Sequence, residues 1–193
     1  MDILIISDLH SLELNNLEKL NNIDYDICFL LGDIDKKRLD LLRTKLDLTK
    51  TYGVVGNHDA SNTLTSSGFV DLDGKCINVK GINIVGLGYG VKYKSGMYAM
   101  RTQDEMLDLV SKLSIESCDI LISHDTEYRM ITDDKSHEGF LGITKFIEKY
   151  KPKYNLFGHH HRNLRFFQNG TDYICTYQCN LLNYETGMIT NIF

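Results

Sequence analysis

Residues 154–161 read YNLFGHHH: a short apolar run, a glycine, and then three of the chain's seven histidines. An apolar run this short, closed by glycine, reads as a strand buried on both faces, with its polar cluster at the carboxyl end. The same pattern recurs in ILIISDLH (3–10), DICFLLGD (26–33), GVVGNHD (53–59), INIVGLG (82–88) and CDILISHD (118–125). Helical periods lie between these runs. Leu12, Leu17 and Leu20 give a weak one; Leu39, Leu42 and Leu46 in DKKRLDLLRTKLDL, and Met106, Leu107, Val110 and Leu113 in QDEMLDLVSKL, give clearer apolar faces. LGITKFIEKYKP adds another, stopped by Pro152. Strands alternating with helices predict an α/β fold.

Two regions break the rhythm. FVDLDGKCINVKGINIVG (69–86) alternates short runs around Asp73-Gly74 and Lys80-Gly81, which predicts a meander. NLRFFQNGTDYICTYQC (163–179) repeats that style, with Asn169-Gly170 as a hairpin turn. An α/β front half and a β-rich back half therefore share residues 1–193, read as a single domain with no linker, repeat or low-complexity stretch.

Composition bounds the function. At 193 residues, with 42% hydrophobic and 24% charged side chains, the chain reads as an ordinary globular domain. The net charge of -5 leaves no basic surplus, so long nucleic acid is an unfavoured partner. The apolar run of MDILIISD meets Asp8 too early for a signal or membrane segment, and no later run is long enough to span a bilayer. The five cysteines (28, 76, 118, 175 and 179) form no CxxC, and several sit in apolar runs. The expected location is the cytoplasm.

Chemistry-bearing residues gather where the runs stop: Asp8 and His10, Asp33, Asn57 and His58, His124, and His159 to His161. Loops at the carboxyl ends of α/β strands converge and bind ligands. Each cluster alone has a plain structural reading. Asp33 would serve as a helix N-cap, GNHD as a turn and GHHH as a surface run. Together they call for a common cause, and mixed imidazole, carboxylate and amide donors suit Mn, Fe, Zn, Ni or Co.

In order and spacing, Asp8-x-His10, Gly32-Asp33, Gly56-Asn57-His58-Asp59, His124 and Gly158-His159-x-His161 resemble the five motifs of the calcineurin-like metallophosphoesterases, over residues 1 to about 165. The resemblance implies a four-layer α-β-β-α sandwich of two mixed sheets flanked by helices, in a short member of phosphodiesterase type. It implies two divalent transition-metal ions, manganese foremost, with Fe, Zn, Ni and Co as alternatives. The first would take Asp8, His10, Asp33 and His161, and the second Asp33, Asn57, His124 and His159, with Asp33 bridging. It also implies in-line attack on phosphorus by a metal-bridging hydroxide. Asn57 and His58 would contact substrate, and His58 would be the general acid that protonates the leaving oxygen. In an extended segment alternate side chains face one way, so His159 and His161 are expected to share the site and His160 to point elsewhere.

Two positions depart from the family pattern. Lys36 stands where many relatives carry an acidic residue that supports the acid histidine, with Asp35 and Asp59 near in sequence. His124 is followed by Asp125-Thr126-Glu127 rather than by prolines. GYGVKYKSGMYAMRTQDE (88–105) has no clear period and reads first as a solvated surface loop. Its alternative reading is a segment that overhangs the metals through Tyr89, Tyr93, Tyr98, Lys92, Lys94 or Arg101. His137-Glu138-Gly139 falls in the loop before the last helix, with substrate contact as an alternative reading that is not favoured. The expected activity is phosphoester hydrolysis on a phosphodiester or small phosphorylated compound. The alternatives are a protein serine/threonine phosphatase and a non-catalytic scaffold that keeps the fold.

Overall fold

The computed structural model describes residues 1–96, 98–131 and 134–193; Met97, inside the loop expected at 88–105, lies outside them. The expected runs become β1 (Asp2–Ser7), β2 (Ile27–Leu30), β6 (Ile82–Leu87), β9 (Ile120–Ser123) and β10 (Tyr154–Phe157). β3 (Thr51–Gly53) lies two residues earlier than the apolar run of GVVGNHD suggested, with Thr51 to Gly53 paired to Cys28 to Leu30 of β2. The remaining strands are β4 (Val70–Asp71), β5 (Lys75–Val79), β7 (Gly90–Val91), β8 (Met100–Arg101), β11 (Leu164–Gln168), β12 (Thr171–Cys175), β13 (Gln178–Asn183) and β14 (Ile189–Asn191).

Two six-stranded mixed sheets result, ordered β14-β13-β1-β2-β3-β4 and β11-β12-β10-β9-β6-β5, with β7 paired to β8 apart from them. In the first, β1 to β4 run parallel and β13 lies antiparallel against β1. In the second, β12, β10, β9 and β6 are parallel, with antiparallel strands at both edges.

Side-chain alternation sorts the core. Ile3, Ile5, Ile27 and Phe29 meet Ile84, Ile120, Ile122, Leu156 and Ile174 between the sheets. Leu4, Ile6, Cys28 and Leu30 face outward onto Leu39 and Leu42 of α1 (Lys36–Lys45) and onto Leu17 and Leu20. Leu121, Phe157 and Tyr173 face the other way, onto α3 (Gln103–Lys112) and α4 (Leu141–Tyr150), through Met106, Ile143, Phe146 and Ile147. Helix, sheet, sheet, helix is the four-layer order expected. A short α2 (Thr63–Ser66) follows the third motif.

Two local expectations change. The weak Leu12–Leu20 period becomes 3-10 helix over Leu14–Asn22, whose three-residue turn accommodates leucines that the α period fits poorly. The 69–86 segment is no meander: β4 pairs with β3 in one sheet, whereas β5 pairs with β6 in the other, so the chain changes sheets at Leu72 to Gly74. The β-rich back half joins the front half directly, because β13 and β14 return to the sheet of β1. Of the foreseen turns, Lys80-Gly81 and Asn169-Gly170 close hairpins at positive φ, whereas Asp73-Gly74 carries the chain from one sheet to the other.

Candidate metal centre

Backbone knitting brings the strand ends together. Asp8 N donates to Gly32 O and Leu9 N to Asp33 O, both at 3.1 Å. His58 N donates to Asp33 Oδ1 at 2.8 Å, and His159 N to Asp8 Oδ2 at 3.0 Å. Asp59 clamps the bend from below, accepting Asp33 N at 2.9 Å and Gly56 N at 2.8 Å on one carboxylate oxygen. Burial, then the charge of Asp33, pushes Asp59 up to about 7.

Two donor groups form, His10–Asp33–His161 and Asp33–His124–His159, each with ligand atoms within 4.8 Å of one another. Asp33 belongs to both. Asp8 adds to the first, its Oδ1 lying 3.6 Å from His161 Nε2. Asn57 adds to the second, its Oδ1 lying 2.9 Å from His124 Nε2. His124 Nδ1 lies 2.7 Å from the Leu31 carbonyl, which only accepts, so that nitrogen carries the proton. Burial draws His124 down to about 4, so the ring is neutral and its bare Nε2 faces another acceptor, the Asn57 oxygen. His159 Nε2 donates to Ser136 O at 2.8 Å.

The carboxylates fit a cation. Asp8 Oδ1 and Asp33 Oδ2 are buried without a hydrogen-bond partner, a state that costs free energy unless an ion satisfies it. Burial, then the charge of Asp33, raises Asp8 well above the usual carboxylate range. Burial works to raise Asp33 too, but His124, the His58 N–H and His159 together hold it below that range. This mixed nitrogen and oxygen donor set suits a divalent transition metal.

Asp8, Asp33, His159 and His161 all adopt positive φ, from 49 to 70°. His159 and His161 therefore share the site through tight left-handed bends and not through strand alternation, which corrects the sequence-based reason. His160 lies in neither donor group. Its ring packs edge-on against Phe157, with centroids 6.2 Å apart, and burial draws it down to about 3.

The N-cap of α1 is Asp35, which accepts Arg38 N at 3.0 Å and pairs with the Arg38 guanidinium. Asp33 is thereby free of the capping role. Lys36 pairs with Asp40 at 2.5 Å along α1. With Asp35 capping and Asp59 clamping, both nearby carboxylates are engaged away from the His58 ring. That ring instead neighbours His10, with centroids 5.9 Å apart, and Tyr98, at 6.4 Å.

Ser136 escaped the sequence reading, and Tyr93, Asp125 and His137 entered it without a fixed place in the site. Asp33, Asn57, His58, His159 and His161 line a cleft of about 280 Å³ together with Tyr93, Ser136 and His137. His137 packs on His159, with ring centroids 4.6 Å apart. Asp125 is fully buried and accepts Val91 N at 3.2 Å, tying the 88–105 segment to the strand end that carries His124. That segment is thus not merely a solvated loop. The Tyr-Lys interleaving and the His137 position were the available signals, and neither fixes a location by itself.

Residues 1–176 match the model of the calcineurin-like phosphoesterase superfamily domain, and the chain belongs to that superfamily of metal-binding phosphoester hydrolases. Solved structures similar in fold include the protein TT1561 of Thermus thermophilus, with a TM-score of 0.71, 14% identity, and coverage of 100% of this chain and 99% of that one. The phosphopantetheinyl hydrolase PptH of Mycobacterium tuberculosis gives a TM-score of 0.63 at 14% identity, covering 91% and 89%. An archaeal phosphodiesterase gives 0.54 at 13%, covering 98% of each chain. No curated protein matches by sequence. Among the described residues, no helix is long and apolar enough to cross a membrane.

Proposed function

We propose that the chain is a dinuclear metal-dependent phosphoesterase, a single domain acting in the cytoplasm on a phosphodiester or small phosphorylated compound. The observation that carries this reading is the pair of donor groups sharing Asp33. Asp8, His10, Asp33 and His161 would hold one ion; Asp33, Asn57, His124 and His159 would hold the other, with manganese the first choice. Bound there, the ions would activate water and draw charge from the phosphoryl oxygens.

The chain's own groups supply orientation and proton transfer. Asn57 and His58 stand at the cleft on one short bend, and the His58 N–H bond to Asp33 Oδ1 fixes where the imidazole emerges. His58 donates a proton to the leaving oxygen as the phosphorus–oxygen bond breaks. A cleft of about 280 Å³ suits a phosphoryl group with modest substituents. The names of two fold neighbours, a phosphodiesterase and a phosphopantetheinyl hydrolase, support the same class of substrate.

The test is hydrolysis of p-nitrophenyl phosphate and its bis ester by metal-stripped protein, with Mn, Ni, Co, Zn and Mg restored separately. Metal-dependent cleavage of the bis ester is expected. His58→Gln should keep both ions and lower kcat, more steeply for esters with poor leaving groups. Two bound ions with no cleavage under any metal would refute the enzyme in favour of the scaffold, and clear preference for phosphopeptides would favour a protein phosphatase.

A further inference from the structure

One short connection closes the sandwich at the metal centre without adding a donor to either group. Cys175 ends β12 in one sheet, Gln178 begins β13 in the other, and Thr176 and Tyr177 carry the chain across between them. The crossing is tight, with Gln178 at a φ of 64°.

Each residue of this crossing meets a different part of the group around His10, Asp33 and His161. Cys175 Sγ donates to Gly158 O at 3.4 Å, at the start of the bend that carries His159 and His161. Ser7, next to Asp8, donates through Oγ to Thr176 O at 2.8 Å, and the two hydroxyls lie 3.2 Å apart. Thr176 itself donates to Phe157 O, just before the bend, from N at 2.8 Å and from Oγ1 at 3.3 Å. Ser7 and Thr176 are fully buried, so water cannot replace either partner. The Tyr177 hydroxyl lies 3.0 Å from Ser11 Oγ, beside His10, and its ring stands next to that of His161 with centroids 5.7 Å apart. Tyr177 is fixed in turn through its backbone: N donates to Asn163 Oδ1 at 2.9 Å, and O accepts from Asn180 Nδ2 at 3.2 Å. Among the described residues, no hydrogen bond joins 175–177 to Asn57 or His124. The two groups also differ in enclosure. His124 and His159 are buried and packed in place, whereas His10 and His161 are exposed, so their directions depend on a few neighbours.

We propose that Thr176 and Tyr177 are positioning residues for the ion held by Asp8, His10, Asp33 and His161, and that they set its affinity independently of the other ion's. Thr176 fixes the spacing between Asp8 and the 158–161 bend through Ser7 and Phe157. Tyr177 fixes the directions of His10, by way of Ser11, and of His161. This assignment rests on the dinuclear reading of the site.

The experiment is titration of the stripped chain with manganese, followed by electron paramagnetic resonance, which counts free ion and needs no turnover. Thr176→Val and Tyr177→Ala are each expected to weaken one of two ions about 10–100-fold, as loss of a ligand's supporting contact does elsewhere, and to spare the other. Thr176→Ser, which keeps the hydroxyl, should restore most of the affinity. His10→Ala, at an exposed position, should remove the same ion, and in that chain Tyr177→Ala should leave the affinity of the remaining ion unchanged. A merely structural role would lower both affinities together. Weakening of both ions, of neither, or of the ion that remains in the His10→Ala chain would overturn the proposal. Wild-type protein that binds no manganese would overturn the dinuclear reading and this assignment with it, whereas two ions indifferent to Thr176 and Tyr177 would overturn the assignment alone.

Discussion

A single methyl at Gly56 is expected to disable both ion sites, although Gly56 offers no ligand atom. A Cβ there would lie 2.3 Å from Asp33 Oδ1, 2.6 Å from His124 Cε1 and 2.7 Å from Asp33 N. Non-bonded atoms settle at roughly 3.5 Å, so the carboxylate or the bend must give way by about 1 Å. Neither moves freely, because Asp33 Oδ1 accepts His58 N and Asp59 holds both Asp33 N and Gly56 N. Metal–ligand distances tolerate only about 0.2 Å, so the displacement is several times what the centre can absorb. Affinity should fall by at least about 10–100-fold, and for both ions, since both donor groups contain Asp33. Overpacking should also cost about 1–3 kcal/mol, or roughly 2–4 °C of Tm per kcal/mol at this chain length. Titration of stripped Gly56→Ala protein with manganese, beside a melting curve in chelator, reads the two effects separately. A folded variant that binds two ions with wild-type affinity would refute the reasoning.

Gly158→Ala, whose Cβ would lie 2.5 Å from Asp8 Oδ2, should weaken the Asp8 side of the proposed centre first, seen as a loss of metal affinity at the His10–Asp33–His161 group with the other group retained. In chelator, Asp8→Asn should melt above the wild type, because it removes a charge that burial and Asp33 disfavour, yet it should bind metal less tightly. The raised Asp8 carboxyl also makes the stripped fold gain stability as pH falls through its folded value, in full below the ordinary value of about 3.9; Asp8→Asn should lack that component of a urea titration across pH. His160→Ala should keep both ions by metal analysis and lose about 0.5–3 kcal/mol in urea, as a packed ring outside both donor groups. Asp125→Ala strands the buried Val91 and Thr126 N–H groups, at about 1–3 kcal/mol each. It should raise KM for the bis ester while metal content holds.

The strands and the residues at their ends were legible because both signals are local. An apolar run shows its own burial, and a polar residue just after it shows the end of the strand. The assignment of Asp35 rather than Asp33 as the cap of α1 was not legible, since both precede the same helical pattern and only the structure shows which side chain reaches Arg38 N. Pairing partners were hidden for a related reason. Nothing within 69–86 says that Val70 joins Tyr52 while Lys75 joins Gly86, because sheet membership is decided by segments far away in sequence. The same holds for β13 against β1, more than 170 residues apart. The contacts of Asp125 and Ser136 with the site needed the fold before they had meaning.

The cost of the site's geometry bears on whether it serves chemistry at all. Asp8, Asp33, His159 and His161 sit in left-handed backbone, at roughly 1–3 kcal/mol each for residues with a Cβ. Asp8 and Asp33 add two buried carboxylate oxygens without partners, and each such group costs free energy of similar order. These penalties fall on strand ends whose strands are buried on both faces, so the surrounding core can impose them and the local chain cannot relax them. A sandwich used only as a docking surface gains nothing from this strain, because its outer faces would be the same with relaxed loops. Cations at the Asp33-centred donor groups would offset the unpartnered charge and use the enforced directions of every strained side chain. The geometry therefore favours metal binding, and metal titration of the stripped protein reads that coupling directly as a rise in Tm with free ion concentration.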